Sequence, residues 1–260
     1  MSESLAELEG ALPTRWLGRP HEHHGRIDST NARALTWLAE GGPHGGLVTA
    51  DAQTAGRGRR GRPWHSAAGA SLYVTALLRP LAGTELGALG LAVGLGLARG
   101  LPTEADVRLK WPNDLVAGGR KLGGVLCEAR WTSGRAQVAA GFGINVRAQA
   151  WPAELADVAT SLQERGVDRR PVQVAAAVLG ALEATLDAFL SGGFAAIRDD
   201  YLARSTVIGQ RVKIGEYGAP DEASTATAVG LDDDGALLVH DEGGGPPRRV
   251  EAADVWLAGS

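Results

Sequence analysis

Residues 51–66 read DAQTAGRGRRGRPWHS, and the rest of the chain is interpreted around this stretch. Between residues 56 and 62 it places four arginines among three glycines. Glycine loses the most backbone entropy on ordering, so the run disfavours both helix and strand, and we expect a mobile loop. On either side, Gly46–Ala50 and Ser71–Arg79 have the composition and alternation of strands. The arginine loop (residues 51–66) is therefore predicted to join two strands of one sheet.

The charge of the arginine loop predicts its ligand. No acidic residue lies between Asp51 and Glu85 to neutralise the four guanidinium groups. Arginine binds phosphate through two parallel hydrogen bonds. A close ion pair is worth about 1 kcal/mol in water but about 4 kcal/mol at an effective dielectric constant of 20, so binding is strongest where solvent is excluded. We expect the loop to become ordered on a polyanionic ligand.

Composition limits the class of protein. The chain has 260 residues, 44% of them hydrophobic, which is enough for one large domain and a small one. A net charge of −4 argues against a general nucleic-acid-binding protein. The single cysteine, Cys127, excludes an internal disulfide, and no basic and apolar leader opens the chain, so we expect a cytoplasmic protein. The longest apolar stretch, Leu86–Leu97, is too short to span a bilayer, and no membrane association is expected.

Lysine is rare in this chain. Of 26 basic residues 23 are arginine, and only Lys110, Lys121 and Lys213 are lysine. A compact ammonium group cannot be replaced by a planar guanidinium group at every site. Lys110 ends a predicted strand in VRLKWPNDLV (107–116), directly before a turn that presents Asn113 and Asp114. A plain Pro-Asn-Asp turn explains the PND sequence but not the lysine, whereas Lys213 is interpreted as a surface residue of a strand.

Two N-terminal motifs each allow two interpretations. Residues 1–26 are polar and rich in helix breakers, and the HEHH run at His21–His24 could bind a metal or lie in a solvated segment; its spacing favours the solvated segment. IDSTN (27–31) precedes a helical pattern, so its hydroxyl groups either cap that helix or also hold a small polar ligand. Local sequence favours capping alone.

The remaining patterns predict alternating helices and strands. A glycine-laced apolar helix is expected at Thr84–Leu101, packed closely on the sheet. A hairpin is expected from Arg120–Arg130 and Arg135–Val146, with Cys127 as a core thiol. Helices are predicted at Pro171–Ser191 and Phe194–Arg204. From Ser205 the pattern changes to short strands, with an acidic loop at Tyr217–Ala223, which predicts a small β-barrel.

Five strings occur in one order along the chain: IDSTN, QTAGRGRRGRPW, KWPNDL, RKLGGVL and GFGINV. Together they resemble the biotin protein ligase family over nearly the whole chain. The resemblance implies an α+β protein, with a mixed-sheet catalytic domain related to lipoate ligases and class II synthetases and a small SH3-like β-barrel. The implied domains are an N-terminal segment (1–26), a biotin- and ATP-binding domain (27–205) and the C-terminal domain (206–260).

The resemblance also implies roles for individual residues. The catalytic residues are Lys110, Arg57 and Arg59. The biotin-binding residues are Ser29, Thr30, Asn31, Gln53, Arg57, Gly58, Arg59, Lys121 and Gly124. The ATP-binding residues are Arg60, Arg62, Trp64, Lys110, Asn113 and Asn145. Asp114 is the implied Mg²⁺ ligand, and no counterpart is assigned to the family's adenine-stacking tryptophan.

The implied activity is the ATP-dependent formation of biotinyl-5'-AMP and transfer of biotin to a lysine of a biotin carboxyl carrier domain of acetyl-CoA carboxylase or a related carboxylase. Some family members carry an N-terminal DNA-binding domain, but only 26 residues precede IDSTN, so no DNA binding is expected. We expect a monomer or a weak homodimer. The alternatives are a lipoate or octanoate ligase of the same fold, or a nucleic-acid-binding module that uses the arginine loop; the acidic chain disfavours the latter.

Overall fold

The computed structural model of the protein describes residues 4–65, 67–81, 86–215, 223–251 and 253–258. Its first sheet has seven strands: β1 (His21–His24), β2 (Leu47–Ala50), β3 (Ser71–Leu81), β4 (Arg108–Lys110), β5 (Asp114–Ala117), β6 (Arg120–Thr132) and β7 (Arg135–Asn145). They lie in the order β1-β2-β3-β7-β6-β5-β4. Only the β1–β2 pair is parallel, so the sheet is mixed, as predicted.

The strands predicted on both sides of the arginine loop are confirmed as β2 and β3, and the predicted hairpin is β6–β7. Lys110 is the last residue of β4, as predicted. The loop itself, described over residues 51–65, contains one 3₁₀ turn at Arg59–Gly61 and otherwise only isolated bridges. Strands β2 and β3 are therefore joined by one irregular, glycine-rich segment.

The prediction of a solvated N-terminal segment is wrong. His21–His24 form β1, which extends the sheet beside β2, and the imidazoles are half-buried. Thr49 of β2 explains this arrangement, because its hydroxyl lies 2.7 Å from His21 Nε2 and 3.0 Å from His23 Nδ1. The polar side chains are paired across the strands, which local sequence does not reveal.

Five α-helices are described: α1 (Leu8–Ala11), α2 (Thr30–Ala39), α3 (Leu86–Gly100), α4 (Pro171–Gly192) and α5 (Arg198–Arg204). The predicted start of α3 at Thr84 falls outside the described residues. The glycines of α3 do serve close packing, but the tightest contact is with α4 and not with the sheet. A Cβ on Gly100 would lie 2.4 Å from Val178 Cα, and one on Gly96 would lie 2.8 Å from Leu182 Cα.

Helix α4 is long and apolar enough to cross a bilayer. Half of its residues are nevertheless buried in the protein. The carboxylate of Glu183, only 5% exposed, accepts hydrogen bonds from the backbone N–H groups of Arg15, Trp16 and Leu17. Helix α4 is thus a core helix that also fixes the N-terminal segment.

The second sheet has five strands: β8 (Arg211–Gly215), β9 (Ser224–Leu231), β10 (Leu237–Asp241), β11 (Arg248–Val250) and β12 (Asp254–Leu257). All pairs are antiparallel, in the order β11-β10-β9-β8-β12, which confirms the predicted small C-terminal β-structure. Lys213 is exposed on β8, as predicted, whereas residues 217–222 of the predicted acidic loop lie outside the described residues.

The two sheets share one continuous hydrophobic core. At their junction the indole Nε1 of Trp111, in the turn after β4, donates a 3.0 Å hydrogen bond to the carbonyl of Gly235. A Cβ on Gly87 would lie 2.6 Å from the carbonyl oxygen of Asp234. The domain limits at residues 26 and 205 remain predictions, but the second sheet packs directly on the elements that carry Lys110.

Candidate active site

A cavity of about 930 Å³ opens between the N-terminus of α2, the arginine loop and strands β5 to β7. Its volume is within the range of small-molecule binding sites. All site residues implied by the sequence line this cavity except Lys110 and Arg60. They are Ser29, Thr30, Asn31, Gln53, Arg57, Gly58, Arg59, Arg62, Trp64, Asn113, Asp114, Lys121, Gly124 and Asn145. The fold thus brings together residues that are up to 116 positions apart in the sequence.

Uncharged polar groups form one end of the cavity. Ser29 caps α2, because its Oγ accepts a 3.5 Å hydrogen bond from Ala32 N, so the capping interpretation is correct. The backbone N–H of Thr30 donates to Gln53 Oε1 at 2.8 Å, and the Thr30 hydroxyl lies 3.2 Å from the same oxygen. Since Ser29, Thr30 and Gln53 also line the cavity, capping and contact with a polar ligand are compatible at this site.

Asn31 connects this polar end to the arginine loop. Its Oδ1 accepts a 2.7 Å hydrogen bond from the hydroxyl of Thr75, and its Nδ2 donates to the carbonyl of Leu126 at 3.1 Å and to Glu128 Oε2 at 2.7 Å. The same Glu128 oxygen lies 3.3 Å from Arg57 Nη2. These hydrogen bonds of the Asn31 amide therefore go to protein groups, and they order the wall of the cavity. Thr75 and Glu128, which complete this network, carry no local sequence signal of their role.

Glycines on two adjacent strands allow Trp64 to form a second wall. A Cβ on Gly143 would lie 2.6 Å from Cε2 of the indole ring, so the ring lies directly on the β7 backbone. Gly124, paired with Gly143 across the sheet, would bring a Cβ to 3.3 Å from the same ring. The Lys121 ammonium lies 5.6 Å from the ring centroid, within the range of a cation–π interaction. This explains why the hairpin carries glycine at these positions.

Lys110 lies in a small adjoining cavity of about 80 Å³, which shares Arg62, Asn113 and Asp114 with the large one. Burial lowers the pKa of the Lys110 ammonium, an effect that Asp114 opposes and the charge of Lys121 reinforces. A partly desolvated cation exerts a stronger field on an approaching anion than a cation in bulk water. Lys110 is thus suited to binding an anionic group that bridges the two cavities.

Arg59 reaches into the large cavity from the arginine loop. Its Nη1 donates a 3.3 Å hydrogen bond to Asn113 Oδ1, while Asn113 Nδ2 donates to the carbonyl of Val125 at 3.1 Å. Burial lowers the pKa of the Arg59 guanidinium, though arginine stays charged in proteins. The PND turn therefore presents polar groups to the cavity and also binds the arginine loop, through the hydrogen bond between Asn113 and Arg59.

Asp114 has a cationic partner within the site. Its Oδ1 accepts a 2.6 Å hydrogen bond from Lys121 Nζ, and both side chains line the large cavity. In the part of the chain that the structure describes, no three His, Cys, Asp or Glu side chains are grouped as metal ligands. Asp114 is therefore one available carboxylate and not part of a preformed metal cage.

The expectation that the arginine loop lacks acidic partners is wrong for the folded chain. Asp254 of β12 accepts a 3.1 Å hydrogen bond from Arg62 Nη2, and its Oδ2 lies 3.6 Å from Arg60 Nη1. Glu128 pairs with Arg57 in the same way. Both carboxylates lie far from the loop in the sequence, so the residues in and beside the loop do not predict these ion pairs.

Two further residues, Asn145 and Trp151, line the cavity, whereas Cys127 does not. Asn145 lines the cavity, but its amide bonds Ser71 Oγ at 3.2 Å and the carbonyl of Thr160 at 3.0 Å. Trp151, which the sequence left unassigned, also lines the cavity, with its ring centroid 6.1 Å from that of His65. Cys127 packs against the hydrophobic core but is only partly buried. Desolvation raises the pKa of its thiol to about 12, which agrees with the prediction that it is not a nucleophile.

Comparisons with known proteins agree with this geometry. Residues 24–145 match the model of the Biotin/lipoate A/B protein ligase family, and residues 207–257 match that of the Biotin protein ligase C terminal domain. The biotin–[acetyl-CoA-carboxylase] ligase of Paracoccus denitrificans is 37% identical over 251 residues, which cover 90% of this chain and 99% of that protein. The bifunctional ligase/repressor BirA of Bacillus subtilis is 32% identical over 98% of this chain and 79% of its own length.

A solved structure of the biotin protein ligase from Aquifex aeolicus, in complex with biotin and ATP, superimposes with a TM-score of 0.78 at 29% identity. The superposition covers 92% of this chain and 99% of the Aquifex chain. Both sheets are thus arranged as in a two-domain ligase. The chain belongs to the biotin protein ligase family.

Proposed function

We propose that this protein activates biotin with ATP to biotinyl-5'-AMP and transfers the biotin to a lysine of a biotin carboxyl carrier domain of acetyl-CoA carboxylase or a related carboxylase. One observation carries the proposal: a single cavity is lined both by hydroxyl and amide groups and by guanidinium and ammonium groups. A neutral ureido group suits the first set, and a carboxylate meeting a triphosphate suits the second. Relatives from Paracoccus and Mycobacterium are named as ligases of this kind.

In the first step a biotin carboxylate oxygen attacks the α-phosphorus of ATP. A new P–O bond forms, the bond to the β-phosphate breaks, and pyrophosphate leaves. The step brings two anions together, so its barrier falls when fixed cations face the reacting oxygens. Lys110, which lines the small cavity beside the large one, would face the carboxylate and the α-phosphate together with Arg57 and Arg59 of the loop. Arg60 and Arg62 would face the leaving pyrophosphate.

In the second step the ε-amine of a carrier lysine attacks the acyl carbon of the adenylate. The C–N bond forms, AMP leaves and the amine loses a proton to solvent. The adenylate is a reactive mixed anhydride, so the cavity must exclude water until the amine arrives. The arginine loop lines the cavity from Gln53 to His65 except at Arg60 and Gly61. It would provide that cover when it becomes ordered on the ligand.

The residues fit a Mg²⁺ ion that arrives with the nucleotide. Mg²⁺ in nucleotide-binding enzymes commonly uses one or two carboxylates, with phosphate and water supplying its other ligands. Asp114 would be the protein ligand here, and Lys121, 2.6 Å from its Oδ1, would then shift towards the biotin carboxylate. The ion would neutralise charge on the phosphate oxygens.

The test is isotope exchange between pyrophosphate and ATP. We expect exchange that depends on added biotin, followed by transfer to a purified carrier domain. Exchange that proceeds equally without biotin would remove the substrate assignment, and exchange supported by lipoate or octanoate alone would establish the alternative ligase. Sedimentation would test the predicted monomer or weak homodimer. Titration with duplex DNA would test the predicted lack of DNA binding.

A cytoplasmic location is inferred from the single cysteine and stays a proposal.

A further inference from the structure

Asp254 joins the C-terminal sheet to the arginine loop. It lies 192 residues after Arg62 in sequence, yet its Oδ1 accepts a 3.1 Å hydrogen bond from Arg62 Nη2. Its Oδ2 lies 3.6 Å from Arg60 Nη1, and the side chain is only 12% exposed. Asp254 also lines the small cavity together with Lys110. A nearly buried carboxylate of the second domain therefore faces two arginines implied in triphosphate binding.

The turn that this carboxylate contacts is conformationally costly. Arg60 has a φ of 56°, in the left-handed region, which is unfavourable for a non-glycine residue. Arg59, Arg60 and Arg62 are also close enough for their charges to repel: besides burial, Arg60 and Arg62 both lower the pKa of Arg59, while Asp254 raises it. An anion near Arg60 and Arg62 therefore stabilises the turn in this conformation.

We propose that Asp254 is a positioning residue that holds Arg60 and Arg62 in the orientation that receives the triphosphate. Through it the C-terminal domain sets the affinity for ATP. This inference rests on the function proposed above. The carboxylate repels phosphate, but it also orders the turn in advance, and ordering a loop before binding removes a cost that the ligand otherwise bears. A guanidinium group has several N–H donors, so the bond to Asp254 leaves Arg62 able to bind phosphate.

The test compares Asp254→Asn with the wild-type protein in biotin-dependent pyrophosphate exchange. We expect the KM for ATP to rise about fivefold, with the KM for biotin and kcat nearly unchanged. Asp254→Glu, which keeps the charge, should recover most of the affinity. Asp241→Asn is the matched control, because Asp241 pairs with Arg248 on the exposed face of the same sheet at 2.8 Å. A fall in the KM for ATP, or no change, would overturn the proposal.

A mutant cycle tests whether Asp254 acts through Arg60 and Arg62, the two arginines that it contacts. If it does, adding Asp254→Asn to the Arg60→Gln/Arg62→Gln variant should leave the KM for ATP nearly unchanged. A further loss of the same size as in the wild-type background would mean that Asp254 acts by some other route, and the positioning role would be rejected. Thermal unfolding of each variant shows whether the domain itself stays folded.

A readout without substrate separates this inference from the proposed function. Trypsin cleaves after arginine except where proline follows, so limited proteolysis of the ligand-free protein after Arg57, Arg59 and Arg60 reports opening of the turn. Cleavage should be faster in Asp254→Asn than in Asp241→Asn. Equal rates would refute the positioning role even in an active enzyme. If Asp254→Asn is cleaved faster but the wild-type protein shows no biotin-dependent exchange, the positioning contact stands and the assigned reaction is refuted.

Discussion

Replacing Gly141 by alanine should break the polar network that forms one end of the cavity. Gly141 lies in the middle of β7, paired with Thr75 of β3 and Leu126 of β6. An added Cβ would lie 1.8 Å from Asn31 Oδ1 and 2.7 Å from Asn31 Cγ. Non-bonded heavy atoms come to rest at about 3.5 Å, so the Asn31 side chain must move by more than about 1.5 Å.

That movement is larger than the hydrogen bonds of Asn31 can absorb. They join its amide to Thr75 at 2.7 Å, to Glu128 at 2.7 Å and to Leu126 at 3.1 Å. Breaking two neutral bonds and one bond to a carboxylate costs about 3–4 kcal/mol. Urea denaturation should therefore show a lower midpoint with an unchanged slope. Titration calorimetry should show weaker binding of biotin, because Thr30 and Asn31 share the first turn of α2.

Two controls identify the cause of the loss. Gly230→Ala, also in a strand, meets no heavy atom within 4 Å and should be close to neutral. Adding Asn31→Ala to Gly141→Ala removes the overlapping side chain, so the double variant should be more stable than the sum of the two single losses predicts. Gly141→Ala with wild-type stability, or strict additivity in the double variant, would refute the steric argument.

Three further predictions concern ionisable groups. Lys110→Arg should lose most biotin-dependent exchange although it keeps the charge, and near-normal exchange by the variant would contradict this. Because burial lowers the pKa of Lys110, the rate of exchange by the wild-type protein should fall at a pH below the ordinary lysine pKa of about 10.4. Burial raises the pKa of Glu183, but the hydrogen bonds from the N–H groups of residues 15–17 lower it more, so the folded pKa lies below the unfolded value. The stability that this carboxylate supplies is therefore present above the unfolded pKa of about 4.3 and is lost as the pH falls through the lower folded pKa. Glu183→Gln should cost about 1–3 kcal/mol at neutral pH and flatten the acid limb of a stability–pH curve; an unchanged limb would argue against it. Cys127, whose pKa desolvation raises to about 12, should react with iodoacetamide far more slowly in the native than in the unfolded protein. Equal labelling rates in the two states would contradict the assignment.

Local patterns predicted the parts of the fold that depend on neighbouring residues. The strands beside the arginine loop, the end of β4 at Lys110 and the glycine-rich hairpin follow from alternation, turn residues and glycine placement. The resemblance supplied the remaining site residues, and all but Lys110 and Arg60 line one cavity. Their individual roles in binding and catalysis still await the kinetic tests.

What the sequence did not predict depends on partners far along the chain. HEHH has no apolar alternation, so nothing local marks β1, and only Thr49 of the neighbouring strand explains its pairing. The glycines of α3 could face a sheet or a helix, and the pattern alone does not decide between them. Glu128 and Asp254 occur in ordinary strand sequence, and their importance arises only when the fold brings them to Arg57 and Arg62.

The carboxylates that contact the arginine loop should respond differently to a triphosphate. Arg57 and Glu128 are 42% and 27% exposed, and pairs of this kind are worth less than about 1 kcal/mol. Several phosphate charges outweigh that contact, so we expect Arg57 to leave Glu128 for the ligand. Asp254, at 12% exposure, is better shielded from water and contacts two arginines. The loop should therefore close on the nucleotide by moving at Arg57 while remaining fixed at Arg62, as the proposed positioning role of Asp254 requires.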